Sequence, residues 1–188
     1  MKKFILTAIV AVAAMTANAQ IWVGGEFGYD HSSFDPDGGP KVTRNHFSIL
    51  PEVGYSLNDK WDIAIMIGDE NVQDKSKALG VTTKESYNTF VVNPYVRYTF
   101  YKTGKVGFFL DGGFSIKTGD VVVEDEAVFE DETGFGIGIR PGVKFAASDK
   151  VTFVASLGGL GYEKVSDYSR FGFKVNGNTL QFGCYYSF

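Results

Sequence analysis

A single cysteine, Cys184, is all that the 188 residues contain. An internal disulfide framework is excluded, and no zinc-binding thiol pattern can be drawn. Beyond residue 20 no apolar run approaches the roughly 18 residues that a membrane-crossing helix needs. Helical periodicity is equally scarce, so an all-α architecture has no support. Basic residues form no patch: 18 Lys and Arg are outnumbered by 22 Asp and Glu, which sets nucleic-acid binding aside. The glycine pairs Gly24-Gly25, Gly112-Gly113 and Gly158-Gly159 have no helix behind them. They predict bulges or tight packing rather than a phosphate cradle, and no cofactor or metal is expected.

What is abundant is glycine, with 23 residues, together with 17 Phe and 10 Tyr. At the start, "MKK", the apolar "FILTAIVAVAAM" and the small-residue site "ANA" have the layout of a secretory signal peptide. Cleavage is expected between Ala19 and Gln20, with no cysteine after it for lipoprotein processing. Residues 1–19 are then signal peptide, and residues 20–188 form one barrel domain whose formal charge moves from −4 to −6 with the loss of Lys2 and Lys3.

Period-2 alternation recurs along that domain. In "WDIAIMIG", Trp61, Ile63, Ile65 and Ile67 alternate with Asp62, Ala64, Met66 and Gly68. Eight such stretches centre on residues 21–30, 45–57, 61–68, 87–101, 106–117, 134–146, 151–162 and 179–188. The last can start as early as Phe171, with a kink at "NGN". Tight polar turns at 58–60, 102–105 and 148–150 alternate with longer polar loops near 31–44, 69–86, 119–133 and 163–170. That rhythm predicts an all-β fold: an eight-stranded antiparallel transmembrane β-barrel with a cleaved N-terminal signal peptide, short turns in the periplasm and long loops outside. Aromatics near the strand ends (Phe27, Tyr29, Trp61, Tyr98, Phe100, Phe145, Phe188) suit the girdles of such a barrel.

A soluble lipocalin-like barrel alternates too, with its apolar face inward. The minor face separates the two, since it carries Glu26, Glu52, Asp62, Arg97, Asp111, Lys117, Arg140 and Lys144 among small residues. Four acids and four bases balance. An Arg facing lipid at midplane costs about 2–4 kcal/mol, so these eight are expected inside as a charge network. Tyr95, Phe109 and Tyr185 would help fill the lumen, while inward glycines would leave gaps for water. Arg140 would pair with Glu26, Asp62 or Asp111.

The chain finishes on "CYYSF", whose alternating aromatics Tyr186 and Phe188 resemble the sorting signal read by the barrel-assembly machinery of Gram-negative outer membranes. "NPYVRYTFYKTGKVGFFLDGGFS" and "GIRPGVKFAASDKVTFVASLGGLGY" resemble strand–turn–strand units of small OmpA/OmpX-like barrels, the "porin family" or outer membrane protein beta-barrel domain. The resemblance spans the whole predicted domain. It implies a cell outer membrane location reached through the periplasm, contact with outer-membrane lipid and lipopolysaccharide, and biogenesis by the assembly machinery. It names no surface ligand.

Catalytic residues are not expected. His31 and Ser33 have a His-x-Ser spacing similar to that of lipid A deacylases, in which His activates Ser, but the longer motif of that family is absent. His46 could lie nearby. Seven acids in the third long loop (Asp120, Glu124, Asp125, Glu126, Glu130, Asp131, Glu132) lack the spacing of a calcium loop. Three functions therefore stand open: a non-enzymatic structural, adhesive or surface-interaction protein, a porin-like passive channel, and a lipid A-modifying enzyme at the rim.

Overall fold

The computed structural model describes residues 21–36, 41–78, 81–123, 126–165, 168–174 and 180–188. Residues 1–19, expected as a signal peptide, and the "NGN" expected as a kink lie outside them, as do the side chains of the acidic segment 120–132. Ten strand segments follow in order: β1 Ile21–Phe34, β2 Lys41–Ser56, β3 Trp61–Ala78, β4 Val81–Thr103, β5 Val106–Val123, β6 Glu126–Ala146, β7 Val151–Leu157, β8 Gly159–Val165, β9 Tyr168–Lys174 and β10 Leu180–Ser187. All pairings are antiparallel. β7 and β8 both pair with β6 and form one wall strand; β9 and β10, paired to β8 and β7, form the next. Eight wall strands result, and β1 closes onto β10 from Trp22↔Ser187 to Phe27↔Phe182.

Short turns are built by side chains that replace missing backbone partners. Asn58 Oδ1 accepts from the amides of Lys60 and Trp61 at 2.9 and 3.1 Å. Ser148 Oγ does the same for Lys150 and Val151 at 3.3 and 3.0 Å. Gly104 supplies the third turn with a φ of 55°, a left-handed conformation that glycine adopts without steric cost.

At the opposite end the expected long loops prove to be largely strand. β3 and β4 continue through Asp69–Ala78 and Val81–Asn88 in unbroken register, Ala78 opposite Val81. At about 3.3 Å per residue the hairpin projects some 25–30 Å along its strands. Alternation did not reveal it because both faces of "NVQDKSKA" are polar, leaving no apolar face to define a period. Cross-strand bonds hold it instead, including Asn71 Nδ2 to Ser86 Oγ at 3.3 Å.

The wall is apolar outside. Thirty large hydrophobic side chains are exposed among the described residues, against eight buried, the reverse of a water-soluble domain. Ile137 is 62 % exposed while Arg97 is 1 % exposed. The belt stops at a common level, where the outward positions become His31, Asn45, Asp69, Asn88, Thr118, Thr133, Lys164 and Ser169. Ring pairs mark both of its edges: Trp61–Tyr98 and Tyr186–Phe188 at the short-turn end, Phe27–Phe182 and Phe135–Tyr162 at the other.

Four inward glycines do not leave the gaps for water that composition suggested. Every buried inward ring stands directly across from one: Trp22 from Gly54, Tyr95 from Gly113, Phe109 from Gly142, Tyr185 from Gly24. A Cβ at Gly54 would run into the Trp22 ring, and one at Gly142 into the Phe109 ring. The glycines give the rings their room, and the rings fill the lumen.

Two irregularities redirect side chains. Thr99 faces Phe109 and Tyr101 faces Phe108, so Phe100 is an extra residue in β4. Between β7 and β8, four steps from Ser156 to Leu160 oppose three from Gly142 to Ile139. Such bulges reverse which face each later side chain takes. The second turns Glu163 inward and falls at Gly158-Gly159, the pair read as a bulge signal.

Candidate functional site

All eight charged residues assigned to the interior lie on the inward face, and all but Glu52 fall into three tiers. The central tier joins Glu26, Arg97, Asp111 and Arg140. Arg97 donates to Asp111 through Nε and Nη2 at 2.7 and 2.9 Å and to the Tyr185 hydroxyl at 3.0 Å. Its guanidinium lies 3.9 Å from the Phe109 ring centroid, a cation–π contact strengthened by the absence of water. Arg140 donates to Glu26 at 2.9 and 3.3 Å, to Asp111 at 3.2 Å and to Gln181 at 2.7 Å. Glu26 also accepts from Ser156 and Tyr185 at 3.0 and 3.2 Å. Two acids face two bases with their polar atoms well supplied, as a low-dielectric interior demands. Asp62, a proposed partner of Arg140, is not one. It lies nearer the short-turn end, 3.6 Å from Lys144, and accepts from Ser56 at 2.6 Å. Glu52 has no basic partner within salt-bridge distance among the described residues, and accepts from the Tyr95 hydroxyl at 2.6 Å.

The upper tier contains residues that alternation overlooked. Lys117 pairs with Glu70 at 3.1 Å and with Glu163 at 3.2 Å, and Arg170 reaches Glu163 at 3.5 Å. Glu70 becomes visible if the parity of "WDIAIMIG" is carried past Gly68; Glu163 requires the bulge. In the projecting hairpins, Arg44 donates to Asp74 through two nitrogens, and that bonding raises the Arg44 pKa above its ordinary value. Tyr87 is raised too, by burial and by its bond to Glu85 at 3.0 Å.

The rim pair does not assemble a nucleophile. His31 Nδ1 meets Asn45 Oδ1 at 2.6 Å, and no bond joins His31 to Ser33 among the described residues. His46 stands opposite Asp30 and so points to the other face of the β1–β2 hairpin.

The third tier is an opening at the short-turn end, a cavity of about 170 Å³ lined by Trp22, Asp62, Arg97, Lys102, Lys105 and Lys144 among others. Its position at the mouth leaves it outside the packed lumen.

A closed antiparallel wall that is apolar outside and ionic within defines a transmembrane β-barrel. The chain belongs to the outer membrane protein beta-barrel domain family, whose model matches residues 4–188, and its place is the outer membrane. Its fold is similar to that of Neisserial surface protein A (NspA), with a TM-score of 0.58 and 18% identity over 89% of this chain and 97% of that one. It is also similar to the outer membrane protein OprG from Pseudomonas aeruginosa, with a TM-score of 0.52 and 16% identity over 90% and 96%. No curated protein matches the chain.

Proposed function

We propose that the protein is a non-enzymatic barrel that acts through its projecting hairpins, in a structural, adhesive or surface-interaction role, and not by passing solutes. The observation that carries this is the central tier, in which Arg97 and Glu26 have side chains 1% and 0% exposed. Ions would have to break several charge-assisted bonds to pass. Eight strands leave a lumen just wide enough for side chains, and the ring–glycine pairs occupy it. In planar bilayers the purified barrel should show no steady porin-sized conductance, at most small intermittent currents. Reproducible steps comparable to a 16-stranded porin would overturn the reading in favour of a passive channel. The name of NspA describes a surface protein, which supports the same assignment.

Export through the periplasm, removal of residues 1–19 and recognition of Tyr186 and Phe188 by the assembly machinery complete the proposal, with outer-membrane lipid and lipopolysaccharide as surroundings. The intact mass of protein from outer-membrane fractions should correspond to a chain beginning at Gln20. A full-length mass would refute the cleavage.

A further inference from the structure

The charge tiers differ in balance. The central one sets Arg97 and Arg140 against Glu26 and Asp111, and the upper one sets Lys117 and Arg170 against Glu70 and Glu163. At the short-turn mouth, Lys102, Lys105 and Lys144 surround the single carboxylate of Asp62, and only Lys144 pairs with it. Lys105 Nζ reaches a backbone oxygen, that of Ala147, at 3.3 Å, and Lys102 has no acidic partner among the described residues.

Two backbone features build this arrangement. The extra residue Phe100 reverses the parity of β4, so that Lys102 shares the inward face with its cross-strand neighbour Gly107. Without the bulge the lysine would face outward. Gly107, for its part, leaves space for Lys144, whose Cγ and Cε would lie only 3.1 and 3.2 Å from a Cβ there. A bulge that re-aims a lysine and a glycine that admits another place their charges at one cavity.

We propose that this mouth is a binding site for a small oxyanion, a phosphate or a short dicarboxylate, entering from the periplasmic side. At about 30 Å³ per water, the cavity holds roughly five or six waters, the size of such an ion. The ammonium groups of Lys102, Lys105 and Lys144 neutralise it, and the hydroxyl of Thr152 in the lining supplies a further donor, that of Ser56 being held by Asp62. The Arg97 guanidinium at the cavity's inner end is already engaged by Asp111, so it forms the floor and the lysines form the clamp. This site is independent of the surface reading, because it opens at the opposite end of the barrel.

Trp22 lines the cavity, and the chain's only other tryptophan is Trp61, which belongs to the outer girdle. In a Trp61→Phe barrel in neutral micelles, iodide will therefore report on the mouth by quenching Trp22. Quenching should saturate with iodide, and inorganic phosphate or succinate should relieve it. Lys102→Gln with Lys105→Gln, both at exposed positions, should weaken the apparent iodide affinity about tenfold while neutral acrylamide quenches as before. Quenching linear in iodide, unaffected by either lysine or unrelieved by both oxyanions, would overturn the site. Relief by phosphate but not succinate, or the reverse, would assign the anion class.

Discussion

Arg97→Met is expected to destabilise the barrel by about 3–5 kcal/mol, the usual result of removing one partner from a buried ion pair. Asp111 would lose its two-pronged partner and keep one bond from Arg140 at 3.2 Å. Tyr185 would lose an acceptor role and Phe109 the cation above its ring. Methionine would still fill much of the space, so the loss reports the stranded charge more than a void. The companion is Arg97→Met with Asp111→Leu, which leaves Glu26 and Arg140 as a balanced pair. It should be more stable than the single variant, because a buried pair replaced by apolar groups of similar volume is often neutral. Equilibrium urea unfolding in lipid vesicles measures both. If the double variant is as unstable as the summed single variants, the central tier is not held together by charge compensation.

Ile139→Arg should cost about 2–4 kcal/mol in the same assay, since a charge on the lipid face is penalised most at midplane. Ile139 is central in the outward series of β6, which runs from Phe135 to Phe145. Thr133→Arg, at the level where that series turns polar, should cost about 0–1 kcal/mol. The gradient between them measures where the apolar belt ends. Cys184 offers a check without any substitution: it is the only thiol and lies on the outward face. A membrane-impermeant maleimide should leave it unmodified in vesicles and label it once urea unfolds the barrel. Rapid labelling in vesicles, together with a harmless Ile139→Arg, would mean that water and lipid had been assigned to the wrong faces.

The belt was legible in the sequence because lipid on one side and a charged lumen on the other impose opposite demands on alternate residues. Wherever that contrast fades, so does the signal. Beyond Asp69 both faces of the β3–β4 hairpin are polar, and a long strand pair reads as a loop. Pairing inside the lumen was hidden for another reason: parity gives a side chain its face but not its height. Asp62 and Glu26 share the inward face, yet only Glu26 stands level with Arg140. Glu163 was hidden by geometry, since one inserted residue near Gly158 exchanges inside and outside for all that follows.

Glu26 also carries information about time. The groups that bond it, Arg140, Ser156 and Tyr185, follow it by 114, 130 and 159 residues. On a growing β-sheet the first strand therefore presents a carboxylate whose hydrogen-bond donors belong to the last three wall strands, and its ion pair with Arg97 of β4, at 3.7 Å, spans the lumen of the closed barrel. Until they arrive, water must solvate it, and the strand cannot settle into a dry environment on its own. Closure then supplies the final strand pairing and the missing counter-charge in a single event. Sheets that stop short should remain hydrated and reversible, while the completed cylinder, with that carboxylate sealed, should open slowly.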